Sequence, residues 1–371
     1  MRVALLTYST KPRGGVVHTL ALAEALADLE VDVSVWTLGR GGDGGFFRPV
    51  DPRVELHVVP LPHLEGETVG DRIMRSMQVL GDAFATHEAQ AGAAYDVFHA
   101  QDCISANAVP RCVRTVHHLD RFTTPELVAC HKRAIVRPYA HVCVSAAVAA
   151  EVTEGWGLHP VIIPNGVDAA RFAAAGADPE AARPWRERFG RYVLAVGGIE
   201  PRKGTLDLLE AFALARRTLP DLELAVAGGE TLFDYRDYRA AFDARAVELG
   251  VVPHVLGPVD HDVLPGLVAG CAALGFVSTK EGFGLAAMEA LAAGVPVVAR
   301  PLPVLREVFG AHVRYGDEPG SIAAALLEAV ADGPLPGGGE LAARHTWRSA
   351  AEQHLDLYRN LISEEQGRIA S

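Results

Sequence analysis

The stretch KEGFGLAAMEALAAGVPVVA, residues 280–299, decides the reading of this chain. It follows an apolar run, AALGFVS (272–278), and passes through a loop with two glycines and an Ala/Leu-rich helical segment into a second apolar run, PVVA (296–299). Strand, loop, helix and strand in that order form the repeating unit of a parallel sheet with helical crossovers. The loop then lies at a carboxyl end of the sheet, where open α/β sheets bind ligands. Gly282 and Gly284 let a ligand approach the backbone, and the helix start offers free amides and positive dipole to an anion. Phosphate is the natural occupant.

Two carboxylates border this segment. Glu281 belongs to the loop and Glu289 to the second turn of the helix, about 80° out of phase with it. Glu289 is surrounded by Ala, Met and Leu, where a carboxylate is costly unless it accepts hydrogen bonds. The vicinal hydroxyls of a ribose would donate two. A surface glutamate on a partly exposed helix is the other reading.

Outward from this segment the same alternation covers the chain. In the first half the strand-like runs are 2–9, 32–38, 54–61, 96–100, 113–119, 141–145 and 161–165, separated by helical segments such as VHTLALAEALADLE (17–30), with GRGGDGGFFRPVDP (39–52) as loop. A second series starts at YVLAVGG (192–198) and continues through a helix at 205–219 and strands at 222–229, 252–259, 272–278 and 296–299. At 371 residues the chain exceeds one ordinary core, so two facing Rossmann-like domains are expected. The expected boundaries are a first domain at 1–168, a linker at 169–187, a second domain at 188–345, and a last helix with tail at 346–371. A Pro/Gly stretch, DGPLPGGGE (332–340), leads to that helix, TWRSAAEQHLDLYRNLI (346–362), which is long enough to cross back to the first domain.

Neither series carries G-x-G-x-x-G after its first strand. TYSTKPRGG and GGIEPRKG stand there instead, which counts against a dinucleotide enzyme. In GGIEPRKG (197–204), Arg202 and Lys203 precede a helix that begins near Gly204. A guanidinium forks onto phosphate oxygens and an ammonium adds point charge, a pairing suited to a departing diphosphate.

The formal charge of −12 argues against a nucleic-acid partner. One local stretch gathers Arg111, Arg114, Arg121, Lys132, Arg133 and Arg137; it reads as a solvated helix face, or else as a patch for an acceptor or a membrane surface. The five cysteines are scattered and never spaced C-x-x-C, as in a chain of reduced thiols. No run approaches a membrane-spanning length and the apolar part of MRVALLTYST is too short for a secretory leader, so a cytoplasmic protein is expected.

E-G-F-G-L-x-x-x-E followed by A-x-G-x-P-V-V, together with G-G-x-x-x-x-K-G, resembles the donor domain of the family-4 retaining glycosyltransferases of GT-B fold. IPNGVDAARF (163–172) is similar to the family's domain junction, VCVSAAVAAEV (142–152) to the segment ahead of it, and HTWRSAAEQHLDLY (345–358) to its crossing C-terminal helix. The resemblance implies a hexose-type sugar carried on a nucleoside diphosphate, UDP ahead of GDP or ADP, and a small-molecule, glycan or lipid-linked hydroxyl acceptor. It implies that Glu289 holds the ribose hydroxyls and Glu281 faces the transferred sugar, with the amides of Phe283, Gly284 and Leu285. Arg202 and Lys203 then match the diphosphate pair beside Gly198, Gly14 and Gly15 the first-domain phosphate loop, and Gly257 to Val259 the backbone near the base.

VHHLD (116–120) matches the strand end whose histidine points at the donor sugar; His117 fits the spacing and His118 is the reserve. A core histidine, or a metal site with Asp120, are the other readings, the latter weakened because strand neighbours point to opposite faces. Asp260 of D-H-D (260–262) is expected to cap the following helix rather than hold a metal. The resemblance further implies retention of anomeric configuration by a front-face displacement, with no cofactor, metal or enzymic nucleophile. A nucleotide-sugar epimerase of the same fold and a non-catalytic sugar-nucleotide sensor are the competing functions; incubation with donor alone separates the epimerase from a transferase, and sustained tight donor binding without hydrolysis or transfer would mark the sensor.

Overall fold

The computed structural model describes residues 1–91, 95–120, 124–229 and 235–370. The chain forms two compact units: Met1–Gly166 with Trp347–Ser371, and Val167–Thr346.

The first unit runs β1 (Arg2–Leu6), α1 (Gly14–Asp28), β2 (Asp32–Arg40), β3 (Glu55–Leu61), α2 (Val69–Ala91), β4 (Val97–Ala100), α3 (Cys103–Ala108), β5 (Val113–Val116), α4 (Pro125–Val136), β6 (Ala140–Cys143), α5 (Ala146–Trp156) and β7 (Val161–Ile162). Its parallel sheet has the order β3-β2-β1-β4-β5-β6-β7, so the chain reverses its direction of travel across the sheet between β1 and β4. Strand residues Val3, Leu5, Val33, Val35, Val97, Val113 and Val142 are buried with Leu20, Leu22 and Leu26 of α1. Alternation is lost in the inner strands β1, β2 and β5, where both faces of the parallel sheet are covered, while the edge strands β3 and β7 stay partly exposed.

The second unit begins with α6 (Ala169–Ala177) and α7 (Pro179–Phe189) and continues β8 (Arg191–Val196), a 3-10 turn (Pro201–Lys203), α8 (Thr205–Arg216), β9 (Leu222–Ala227), α9 (Arg236–Leu249), β10 (His254–Gly257) and α10 (Leu264–Gly270). It then runs β11 (Ala273–Phe276), α11 (Leu285–Ala292), β12 (Val297–Ala299), α12 (Pro303–Phe309), β13 (Arg314–Tyr315), α13 (Pro319–Asp332) and α14 (Gly338–Arg344). The sheet order is β10-β9-β8-β11-β12-β13, with the reversal between β8 and β11. The last helix, α15 (Trp347–Ala370), belongs to the first unit, where Ala350, Ala351, Leu355 and Tyr358 join the same core as Leu20 and Val3.

Three expectations need correction. Residues 169–187 are no linker: α6 and α7 occupy them, Pro179 opens α7, the Asp178 side chain accepts from the Glu180 amide, and Phe172, Ala182 and Phe189 are buried in the second unit. Alanine-rich sequence favours helix; Gly176 and Pro179 flank the break between the two short helices, and Pro184 is accommodated within α7. The stretch 332–340 likewise ends inside α14, which starts at Gly338. β1 and β5 are also shorter than expected at their carboxyl ends, stopping at Leu6 and Val116 where loops begin, whereas β2 runs two residues into the expected loop, to Arg40, paired there with Pro60 and Leu61 of β3.

Candidate active site

In the second unit the chain reversal between β8 and β11 places two loops side by side. After β8, Gly197 takes φ +138 and donates to the Ala227 carbonyl at 2.7 Å, while the Gly228 amide donates to the Gly257 carbonyl at 2.8 Å. A side chain starting at Gly228 would lie 2.7 Å from the Gly198 nitrogen, so Gly198 and Gly257 sit in one tied array of strand ends, with Val259 half-buried beyond it. The turn Pro201–Lys203 ends at Gly204, φ +63. A Cβ there would fall 2.3 Å from the Val277 carbonyl oxygen, so a glycine lets the β8 loop press onto the β11 loop. The Thr279 amide seals the junction by donating to the Arg202 carbonyl at 2.8 Å.

This junction brings Arg202, Lys203 and Glu281 together. Lys203 Nζ lies 2.7 Å from Glu281 Oε1; Arg202 Nη1 is 3.4 Å from the same oxygen and its Nη2 is 3.2 Å from Glu200 Oε1. The carboxyl side chains are 10% and 7% exposed. Burial alone would push the Glu281 carboxyl up, but Lys203 and Arg202, with hydrogen bonds from Lys203 and Ser278, hold it down at about 2. Sequence reading missed Glu200 and Ser278 as members of this cluster. The acid in GGIEPRKG was a visible signal, since a carboxylate two residues before a base can fold back on it.

α11 follows an N-cap at Gly284, φ +102, with no side-chain cap; the Ala287 amide turns back to the Gly284 carbonyl at 3.1 Å, leaving the Leu285 and Ala286 amides at the helix start for a ligand. Gly284 is not open to a ligand on its side-chain face, where a Cβ would meet the Phe309 ring at 2.7 Å. Phe283 is buried and stacks edge-on against His345 at 5.4 Å. What Phe283, Gly284 and Leu285 expose to function is therefore backbone. Glu289, one turn into α11, is half-buried and accepts no hydrogen bond from the described residues. Burial pushes its carboxyl up to about 7, against the pull of Arg171 and with a smaller push from Asp168. Arg171 itself is held by His261, Nη1 to Nε2 at 2.6 Å. Asp260 does not cap α10 with its side chain: the N-cap is Val263, and Asp260 accepts the Val263 and Leu264 amides through its carbonyl.

In the first unit Gly14 and Gly15 form the first turn of α1 and His117 follows β5. A side chain at Gly15 would touch the His117 ring at 3.7 Å, whereas one at Gly14 would meet nothing within 4 Å. His117 Nε2 lies 3.2 Å from Gln101 Oε1, and its ring meets that of His18 edge-on at 4.8 Å. Burial and the neighbouring His18 and Arg114 keep its proton affinity well below that of an ordinary histidine. His118 instead turns to Asp120 at 3.1 Å, so the two histidines, both in the loop beyond β5, have different partners. Among the described residues no group of three or more His, Cys, Asp or Glu is placed to hold a metal ion.

The basic stretch is not one patch. Arg114 is buried and donates to the Ala100 carbonyl, Arg111 pairs with Glu365 and covers the Tyr139 ring at 4.2 Å, and Arg133 and Arg137 line a groove of about 640 Å³ with Met74 and Met77. Arg121 lies outside the described residues. None of the described helices is long and apolar enough to cross a membrane.

Residues 12–171 match the family model described as Glycosyltransferase Family 4, and residues 185–353 the one described as Glycosyl transferases group 1. The chain is 29% identical to a phosphatidyl-myo-inositol mannosyltransferase of Mycolicibacterium smegmatis, over 96% of this chain and 93% of that protein. Among solved structures it superposes on a sucrose-phosphate synthase of Thermosynechococcus elongatus with TM-score 0.77 and 19% identity, covering 98% of this chain and 99% of that one. It also superposes on Anabaena HepE in complex with UDP-glucose, with TM-score 0.68 and 19% identity over 99% of this chain and 100% of that one. Matches that together take in most of both units, on a fold shared end to end, lead to one assignment: the chain is an enzyme of the family-4 glycosyltransferases of GT-B fold.

Proposed function

We propose that this enzyme transfers a hexose-type sugar from a nucleoside-diphosphate donor to an acceptor hydroxyl with retention of configuration. The observation that carries the reading is the Arg202–Lys203–Glu281 cluster at the chain reversal of the second sheet, beside the uncapped start of α11 and the unpartnered Glu289. Each group suits one part of such a donor. Arg202 and Lys203, with the α11 amides, would take the diphosphate, and the Glu289 carboxylate would accept both ribose hydroxyls. Glu281 and His117 are assigned to hydroxyls of the transferred sugar, Gly14 and Gly15 to the phosphate loop, and the Gly257–Val259 backbone to the base.

The bond from the anomeric carbon to the β-phosphate oxygen breaks as the acceptor oxygen bonds to the same face, and the acceptor proton passes to the departing oxygen. No enzymic nucleophile or metal is assigned a step. Catalysis is then positioning plus stabilisation of the leaving diphosphate. A UDP-sugar is the first donor to test, since HepE of the same fold binds UDP-glucose; the mannosyltransferase relative directs the acceptor search to inositol-type ring hydroxyls, free or lipid-linked.

The experiment is a thermal-shift screen with UDP, GDP, ADP and their sugars, followed by transfer assays with the stabilising donor and inositol acceptors. A ligand that binds only the folded form raises the melting temperature, by about 2.7 kcal/mol of stability at a hundredfold excess over Kd. Stabilisation by one nucleotide series supports the donor site, and no stabilisation by any of them overturns it.

A further inference from the structure

His18 lies on α1, one turn after Gly15, and its side chain is almost fully buried. Its Nδ1 is 2.9 Å from Asn165 Oδ1. An amide oxygen only accepts, so Nδ1 carries the proton and Nε2 keeps a lone pair, which is buried with no partner among the described residues. Three rings meet the His18 ring edge-on: His117 at 4.8 Å, Trp347 at 5.4 Å and His354 at 6.1 Å. The His117 ring is thus confined by His18 and by Gln101 Oε1, which fixes its proton on Nε2, beside a Gly15 whose missing side chain would otherwise stand 3.7 Å from the ring. Among the described residues, His354 Nε2 and Gln101 Nε2 are also buried without hydrogen-bond partners.

A leucine or phenylalanine would fill the His18 position without leaving a buried nitrogen unsatisfied, an expense of about 1–3 kcal/mol. Burial drives His18 down to about 3 and His354 down to about 4, so both rings stay neutral and their tautomers are not scrambled by titration near pH 7. An imidazole of fixed tautomer makes sense at this point because it borders the ring to which the donor sugar is assigned. Its other contacts, Trp347 and His354, come from α15, nearly the whole chain away in sequence.

We infer that His18 is a positioning residue: wedged between Asn165 and α15, it holds the His117 ring in the one orientation in which Gln101 Oε1 can fix its tautomer. This rests on the assignment of His117 to the donor sugar.

The test uses the full chain with UDP-glucose as donor probe and inositol as acceptor probe, in variants His18→Phe and Asn165→Ala. The first keeps ring volume; the second leaves His18 in place and removes the group that orients it. Imidazole nitrogen NMR reads the His117 tautomer without substrate, and steady-state kinetics separates kcat from donor KM. The inference expects mixed tautomer signals for His117 in both variants, with kcat down about ten- to a hundredfold and KM changed less than about threefold, as for a misplaced group. A single unchanged His117 tautomer with unchanged kcat overturns it, as does a loss confined to melting temperature. Should His117→Ala itself keep full kcat, the sugar assignment fails, and the NMR result alone then upholds or overturns the positioning.

Discussion

Glu281 and Glu289 stand on one loop and helix, eight residues apart, and hold their protons in opposite ways: Glu281 is kept near 2 and Glu289 is raised to about 7. Burial pushes both upward. Only Glu281 has cations in contact, Lys203 at 2.7 Å and Arg202 at 3.4 Å, while Arg171 is spent on His261 rather than Glu289. One carboxylate is therefore a fixed counter-charge and the other is an acceptor awaiting donors.

Glu289 yields a prediction with a definite sign. A carboxyl whose folded value lies above the ordinary 4.5 adds stability fully below 4.5, and loses it as pH rises through about 7. Glu289→Gln should remove this slope and leave the free protein about 1–3 kcal/mol more stable than wild type at pH 8. Donor binding should run the other way, because only the ionised carboxylate accepts two hydroxyl protons. Calorimetric Kd values for the nucleotide between pH 6 and 8.5 should tighten in wild type, by up to about tenfold, and stay flat and weak in Glu289→Gln. A flat wild-type profile removes Glu289 from the ribose.

Lys203→Ala tests the counter-charge. Glu281, held low, contributes stability above pH 4.5 that is lost as pH falls through about 2. Removing the closer of its two cations leaves a buried carboxylate with Arg202 alone, at an expected loss of about 3 kcal/mol near neutral pH. The acid-unfolding midpoint should move to higher pH in the same variant. Lys203→Ala with Glu281→Gln should recover much of the loss, since the uncompensated charge is gone; denaturant titration at pH 7 and pH 4 checks both.

The site was legible in sequence where chemistry follows from local order. KEGFGLAAMEAL places an acid in a loop and another in a helix whatever surrounds them, and GGIEPRKG places two bases before a helix. What sequence could not show is that Glu281 and Arg202, far apart along the chain, are brought together because β8 and β11 are neighbours in the sheet. His18 was invisible for the same reason: its partners Asn165, Trp347 and His354 come from distant segments. The fold is readable from apolar runs, but α6 and α7 read as a linker because Gly176, Pro179 and Pro184 interrupt the alanine-rich run, and only the burial of Phe172 and Phe189 shows two packed helices. β13 has two residues, Arg314 and Tyr315, too few for any period.

Gly204→Ala should cost turnover as well as folding. At φ +63 a side chain is strained, and its Cβ would stand 2.3 Å from a main-chain carbonyl that cannot rotate away. The expected destabilisation is about 2–4 kcal/mol, with the loops bearing Lys203 and Glu281 pushed apart. Measured well below the melting temperature, kcat should fall about tenfold or more while the far-ultraviolet spectrum is unchanged. Full kcat in the folded variant would show that contact between the two loops is not needed for chemistry.

Tyr358→Phe tests how α15 is fastened within the first unit. Both ring nitrogens of the fully buried His99 are engaged, Nδ1 with Tyr358 OH at 2.6 Å and Nε2 with Thr115 Oγ1 at 2.7 Å. Burial and His354 keep His99 neutral, so the ring has one donor and one acceptor and each partner uses one of them. Losing the hydroxyl strands one ring nitrogen, at about 1–3 kcal/mol. In a His99→Phe background no nitrogen remains to be stranded, and the same Tyr358→Phe change should cost less than about 0.5 kcal/mol, the non-additivity expected of groups in contact. Urea unfolding of the four proteins measures the cycle. Equal costs in the two backgrounds would mean that Tyr358 holds α15 by packing of its ring alone.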